Sequence, residues 1–375
     1  MSAEYRSWVE VSIRQICANY RAIRSAVAPA VEVAAVVKSE AYGHGAVEVS
    51  HALEAEGAHW FAVSTAEEGA ELRRASIAAE ILVMADGLRS AWPALVEYRL
   101  TPVVPVLEHL RELDAYAAAH GVTLTYHLKI DSGMGRFGTR DDAAAIAAAI
   151  RAASHLKLGG IMSHFAAPGD FASDQAAQQS RAFAALYAEL ARLGIDPPLR
   201  HIASSHAIAY GRVEGFHNLV RAGLALYGYL APATGPAPPS AFKVKPALTW
   251  KVTVLATKDV PAGAPIGYNG LFTAPEPMRI AILGAGYADG VPHRLSNRGH
   301  AIAAGRLVPF LGAVSMDVTT IDVTHCPEIV AGSAVTLLGS EGGVSVDAAD
   351  IAAIAGTIPY DVLCGIRTRV RRVYP

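Results

Sequence analysis

Short apolar runs recur through the first part of the chain: VEVAAVVK (31–38), HWFAVS (59–64), EILVMA (80–85), LTPVVPV (100–106), LTYHLKID (124–131), LGGIMSHF (158–165), LRHIAS (199–204) and NLVRAG (218–223). Most are separated by stretches with apolar residues three or four apart, such as AVEVSHALEAEGA, LEHLRELDAYAAAHG and SDQAAQQSRAFAALYAELARLG. Near-continuous apolar strands alternating with amphipathic helices indicate parallel βα units covered on both faces. Eight such runs predict a closed (β/α)₈ barrel rather than an open doubly wound sheet. The weakest connecting helix is SHAIAYGRVEGF, between the last two runs.

From about residue 235 the texture changes. ATGPAPPSAF reads as a proline-rich linker, and LTWKVTVLATKDV, RIAILGAGYADG and GSAVTLLGS alternate as strands do between Gly and Pro turns. The expected organisation is a barrel over 10–235 and a mainly-β domain formed by 1–9 and 236–375, with WVEVSI pairing into the second domain.

Composition narrows the classes. Hydrophobic residues are 52% and charged residues 18%, as in a compact globular protein, and the net charge of −2 gives no basis for a nucleic-acid surface. The opening MSAEYRSWVEVSIRQ carries charge where a signal peptide needs its apolar core, and no apolar run reaches the ~18 residues of a spanning helix. Cys17, Cys326 and Cys364 are far apart, odd in number and without metal-ligand spacing. Reduced, packed thiols in a cytoplasmic protein are expected, with no metal site and no membrane association.

A barrel gathers chemistry at the C-terminal ends of its strands. Here those ends carry Lys38, Asp131 with Arg136, His164, Ser204 with Ser205, and Arg221 with Gly223. A lysine in an apolar mouth loses hydration, which favours the free nucleophilic amine, and its natural use is an imine with an aldehyde. The alternative is a lysine paired with a carboxylate such as Glu40. Ser204, Ser205, Gly223 and the Leu224 amide stand where barrels keep a phosphate, unless they serve ordinary turns. A phosphate-bearing aldehyde would satisfy both ends, which points to pyridoxal phosphate. Arg221, His164 and Arg136 form a positive cluster unless acids such as Asp131 pair with them. An arginine beside a pyridine nitrogen donates without giving up its proton, which makes the ring a poor electron sink and suits quick, return-type proton transfer. Residues 133–138, GMGRFG, also satisfy GxGxxG, but no acidic residue follows at the distance a dinucleotide site needs, and the unit is fifth of eight.

Taken in order, VVKSEAYGHG, KIDSGMGRFG, MSHFA, RHIASS, VRAGLALYG, IGYNG, GAGYADGVP, GAVSMD and IPYDVLCGI span nearly the whole chain. In this the chain resembles the alanine racemases, pyridoxal-phosphate enzymes of fold type III. The resemblance implies that Lys38 binds the cofactor covalently and is one catalytic base, with Tyr268 the other. It implies that Arg221 bonds the pyridine nitrogen with His164 behind it, and that Arg136 reaches the cofactor's phenolic oxygen and the substrate carboxylate. Tyr42, Ser205, Gly223, Leu224 and Tyr360 would hold the phosphate, and Tyr287, Met316 and Asp317 would shape the substrate end. Lys129 matches a lysine that is carbamylated in some members. The second domain of one subunit would complete the partner's barrel mouth, so Tyr268 and Met316 act in trans in a homodimer. Ser39, Glu40, Ser204 and Ala313 depart from the usual family pattern and bear on substrate range.

The implied reaction is interconversion of L- and D-alanine, supplying D-alanine for peptidoglycan. A broader amino-acid racemase is the nearest alternative. A fold-type III decarboxylase is disfavoured by Arg221, because such enzymes present a carboxylate to the ring nitrogen, and a pyridoxal-phosphate carrier by the long β domain.

Overall fold

A computed structural model describes residues 5–375, so residues 1–4 of the segment expected in the β domain lie outside the described residues. The chain divides into two compact units. One comprises Ile16–Ala41 and Ala46–Lys245; the other comprises the N-terminal residues up to Gln15, Tyr42–Gly45 and Pro246–Pro375.

An N-terminal strand, β1 (Ser7–Val11), precedes the first unit, whose eight strands are β2 (Glu32–Val36), β3 (Trp60–Val63), β4 (Glu80–Val83), β5 (Thr101–Val104), β6 (Leu124–Lys129), β7 (Leu156–Met162), β8 (Leu199–His201) and β9 (Leu219–Ala222). They pair in parallel from β2 through to β8, and β9 returns beside β2 with Glu32 opposite Leu219 and Ala35 opposite Ala222. The seam between β8 and β9 is closed by the Arg221 N–H donating to Ala203 O at 3.0 Å and by a Ser204–Arg221 bridge. The eight apolar runs thus form the expected near-barrel, each strand somewhat shorter than its run.

Sequence explains the individual elements. In β3, β4 and β5 nearly every residue is buried, because helices cover the outside and side chains fill the inside. The helix Ala66–Arg74 starts from a Thr65–Glu68 capping box and ends in Arg73 and Arg74, matching charge to the helix dipole. SHAIAYGRVEGF folds only as the short helix Ser205–Ala209 and a 3₁₀ turn, Val213–Gly215.

In the second unit, β10 (Leu248–Val260) is the organising strand. Its even residues Leu248, Trp250, Val252 and Val254 are buried, as period-two alternation requires of a strand with one apolar face. It pairs antiparallel with β1, with Ala334–Glu341 and with Met278–Leu283, and β1 pairs in parallel with Arg371–Val373. The expected pairing of WVEVSI with this domain is therefore present. The unit is mainly β but ends with two helices, Ala348–Ala355 and Pro359–Cys364, separated by Gly356 in the left-handed region at φ 71°. Cys17 and Cys326 are buried, but Cys364 is exposed, which corrects the expectation that all three thiols are packed. No helix among the described residues is long and apolar enough to cross a membrane.

Candidate active site

Lys38 follows the end of β2 by two residues and begins the helical turn Lys38–Gly43. That turn is left-handed: Ser39, Glu40, Ala41 and Tyr42 have φ of 52°, 55°, 50° and 55°. A run of non-glycine residues in this region costs about 1–2 kcal/mol each, so the surroundings must impose it. The Ser39 N–H donates to Glu68 at 2.6 Å, the Ala46 N–H to Glu40 at 3.3 Å, and the Ala41 N–H to Val37 O at 2.9 Å. Glu40 therefore caps backbone, and the alternative of a Lys38–Glu40 ion pair is not realised; among the described residues the half-buried Lys38 amine has no partner.

Four further side chains of the barrel unit converge with Lys38, since Lys129 and His164 each respond to the charges of Lys38, Arg136 and Arg221. Arg221, on β9, is 2% exposed. Its Nη1 donates to His201 Nδ1 at 2.6 Å; its Nη2 donates to Ser163 O at 2.7 Å, Ile202 O at 3.1 Å and His164 Nδ1 at 2.9 Å. Among the described residues no carboxylate pairs with it, and Nε–H and the second Nη1–H are left without a protein partner. Burial presses the guanidinium down to about 9, which still leaves it charged at neutral pH. The same burial, with Arg221 next, holds His164 and His201 well below the usual imidazole range, so both are neutral acceptors toward it.

Asp131, the acid that could have paired with this cluster, faces elsewhere. Its Oδ1 accepts the N–H groups of Gly133, Met134 and Gly135 at 3.0, 2.9 and 3.0 Å, and its Oδ2 meets Arg140 at 2.8 Å. Burial works to raise this carboxyl, but those donors overcome it and hold it at about 2. The amides of Gly133, Met134 and Gly135 are thus spent on the chain's own carboxylate and not offered to a dinucleotide. Arg136, exposed on that loop, has no partner among the described residues.

Lys129 ends β6 at 6% exposure, and its amine is pushed down to about 7 by burial first, then by Arg221 and Arg136, against the pull of Asp131. In the unfolded chain the same amine titrates near ~10.4. Between those values the unfolded state binds the extra proton, so stability rises with pH across the window. Lys129→Met is expected to abolish that rise, a slope worth a few kcal/mol in total, in denaturant midpoints measured from pH 7 to pH 10 in carbonate-free buffer. A wild-type midpoint that does not rise over that range would contradict the assignment.

At the β8 and β9 ends, Ser205 is 3% exposed and its Oγ accepts the Gly223 N–H at 2.9 Å and the Ala225 N–H at 3.4 Å. The hydroxyl proton remains for an anion to accept, and Leu224 opens the turn Leu224–Tyr227, where the first N–H has no carbonyl to bond. Ser204 is the residue before the helix Ser205–Ala209, and its side chain makes no capping bond.

The remaining expected residues belong to the second unit. Tyr42 is buried, with its ring 5.9 Å from that of Tyr360, whose phenol burial pushes up. Tyr268 follows Gly267 (φ 76°) in a tight turn and is 71% exposed. Tyr287 and Met316 are also exposed, on segments joined by the Tyr287 N–H donating to Ser315 O at 3.0 Å and the Ala288 N–H to Met316 O at 2.9 Å. Asp317 is held by Arg369, which also grips the buried Asp289 at 2.6 and 2.9 Å.

Three participants were not singled out from the sequence: Ser163, His201 and His127. His201 holds Arg221, and His127 Nδ1 lies 2.8 Å from His201 Nε2. The available signal was a polar residue on the inward face of an otherwise apolar strand, as with His127 and Lys129 two apart on β6.

The comparisons with known proteins bear on the whole chain. The family model described as alanine racemase, N-terminal domain, matches residues 11–231, and that described as alanine racemase, C-terminal domain, matches 247–374. The chain belongs to the alanine racemase family. Alanine racemase of Halothermothrix orenii is 36% identical over 369 residues, covering 98% of this chain and 96% of the relative. The Bacillus anthracis alanine racemase solved with bound L-Ala-P superposes with a TM-score of 0.92 at 32% identity, covering 100% of this chain and 96% of that one. The Bartonella henselae alanine racemase solved with covalently bound pyridoxal phosphate does so at 0.86 and 26%, covering 99% of each.

Proposed function

We propose that the protein interconverts L- and D-alanine with pyridoxal phosphate, as a homodimer with shared active sites, and that its product serves peptidoglycan synthesis. The observation that carries this reading is Arg221: a buried cation with no carboxylate among the described residues and an unspent Nε–H, beside a lysine with no ion pair. The residues fit the cofactor, because Lys38 has a free amine, Arg221 a donor for a ring nitrogen, and Ser205 a hydroxyl proton for a phosphate. When bound, pyridoxal phosphate supplies an aldehyde for the amine and an electron-withdrawing ring that acidifies the amino acid's α-proton.

Each residue then has a task. Lys38 holds the cofactor and moves the α-proton on one face. Tyr268 of a second copy serves the other face, since a single base tends to return the proton where it took it. Arg221, positioned by His164 and His201, would hold the ring nitrogen by donating to it, and a guanidinium there would leave that nitrogen unprotonated and the ring a weaker electron sink than one facing a carboxylate. Arg136 binds the substrate carboxylate. Ser205, Leu224, Tyr42 and Tyr360 hold the phosphate, with Gly223 fixing the Ser205 hydroxyl through its amide. Tyr287 and Met316 narrow the substrate end, and Asp317 anchors that segment through Arg369. Lys129, poised near neutrality, takes up carbon dioxide as a carbamate and steadies Arg136. Support for the dimer comes from Tyr268, Leu271, Tyr287 and Met316, large side chains of the second unit left 71%, 53%, 42% and 54% exposed.

Cofactor-loaded protein incubated with L-alanine and a panel of other L-amino acids is expected to give D-alanine far faster than any other D-enantiomer. No D-alanine would sink the reading; comparable rates across the panel would replace it with a broad racemase.

A further inference from the structure

The backbone on either side of Lys38 is tied to its surroundings although the amine is not. Before it, the Val37 N–H donates to Ala62 O of β3 at 2.9 Å, and Val37 O accepts the Ala41 N–H at 2.9 Å. After it, the Ser39 N–H donates to Glu68 Oε1 at 2.6 Å. The other oxygen of the same carboxylate accepts the N–H groups of Ser64 and Thr65, at 2.6 and 3.3 Å, just past the end of β3. Glu68 therefore spans the seam between the ends of β2 and β3, with backbone donors on both of its oxygens.

The place of the Ser39 bond gives it a consequence. The Ser39 N–H and the Lys38 carbonyl belong to one planar peptide unit, so holding the N–H holds ψ of Lys38. The preceding peptide unit is held through Val37 O, so both backbone rotations of Lys38 are set by hydrogen bonds outside it. Handedness also changes at this peptide: from Ser39 to Ala41 the chain runs left-handed, with φ of 52°, 55° and 50°. L-residues resist that conformation, and the first N–H of a helical turn finds no carbonyl within the turn. Glu68 supplies the missing acceptor. A carboxylate is required for this, because an amide in its place has one acceptor oxygen for donors on two sides.

We propose that Glu68 is a positioning residue for Lys38: its carboxylate holds the peptide unit that sets the direction in which the lysine side chain leaves the backbone. The role rests on the reading that Lys38 carries the cofactor. It goes beyond the capping box at Thr65, where the hydroxyl accepts the Glu68 N–H at 3.3 Å. Thr65→Ala weakens that box and leaves the Ser39 bond in place, so it reports the loss of a helix cap alone.

The test sets Glu68→Ala against Thr65→Ala in the full-length protein. In Glu68→Ala, kcat for alanine should fall about 10–100-fold with KM within about threefold, the cost of a slightly misplaced reacting group; Thr65→Ala should stay within about twofold in both. Two readouts do not depend on turnover. Attachment of pyridoxal phosphate to the cofactor-free chain, followed by visible absorbance and located by borohydride reduction, should slow about tenfold in Glu68→Ala and still end on Lys38. Hydrogen exchange of the Ser39 amide should quicken at least about tenfold in Glu68→Ala and not in Thr65→Ala. Glu68→Gln should fall between wild type and Glu68→Ala, and if the alanine variant does not fold, the glutamine variant against Thr65→Ala decides. Turnover and loading in Glu68→Ala equal to those of Thr65→Ala would overturn the positioning role in an otherwise active racemase. A Ser39 amide that exchanges equally fast in wild type and Glu68→Ala would overturn it whether or not the protein racemises alanine. A wild type that never attaches the cofactor at Lys38 would sink the racemase reading and this role with it.

Discussion

Lys38→Ala is expected to lower racemisation by about 10⁴-fold or more, because it removes both the covalent anchor and one of two proton-transfer groups. Borohydride reduction followed by peptide mapping should find cofactor on Lys38 in the wild type and none in the variant. The fold should survive. Lys38 has no ion pair or hydrogen bond to forfeit, so truncation leaves no partner stranded, and a surface-like change of within about 0.5 kcal/mol is expected in the unfolding midpoint. A small amine added to the buffer should restore part of the rate by replacing the missing base. Cofactor still trapped in the variant would move the linkage to another lysine, and Lys129, the other amine of the cluster, would be examined first.

The mouth of the barrel could be read in sequence because its chemistry is local to strand ends. Lys38, His164, Ser205 and Arg221 each terminate or closely follow an apolar run, and a parallel barrel brings such ends together whatever the intervening helices do. Nothing local announced the left-handed turn at Ser39–Tyr42. It is held by Glu68 and by packing, and the residues in it have no intrinsic taste for that conformation. The relay behind Arg221 was hidden for a different reason. Polar residues inside strands look like noise in an apolar pattern until pairing shows that His127 and His201 face each other across β7. The Asp131 loop escaped because a glycine-rich sequence states only that amides are available. The Oδ1 already filling them is a tertiary fact. Tyr268 is the extreme case. In sequence it is a tyrosine between two glycine turns, and only the family likeness gave it a role.

Tyr268→Phe tests that role most directly, and a loss of about 10²–10⁴-fold is expected for removing one positioned general acid–base group. The hydroxyl has no partner among the described residues and the side chain is 71% exposed, so the substitution should leave folding and cofactor loading unchanged. The diagnostic readout is isotopic. With Lys38 alone able to move protons, solvent deuterium should still wash into the alanine enantiomer served by the Lys38 face while inversion stalls. An enzyme with one competent base thus exchanges without racemising, whereas one with a general structural defect loses both activities together. Mixing Tyr268→Phe protein with Lys38→Ala protein adds the quaternary test. If Tyr268 acts in the partner's mouth, a mixed dimer carries one site with both bases intact and one with neither, and activity should return toward about a quarter of wild type for random exchange of subunits, one active site in each of the half of dimers that are mixed. If Tyr268 served its own chain, every site in the mixture would lack one base and no activity would return. Full racemisation by Tyr268→Phe alone would end the two-base assignment.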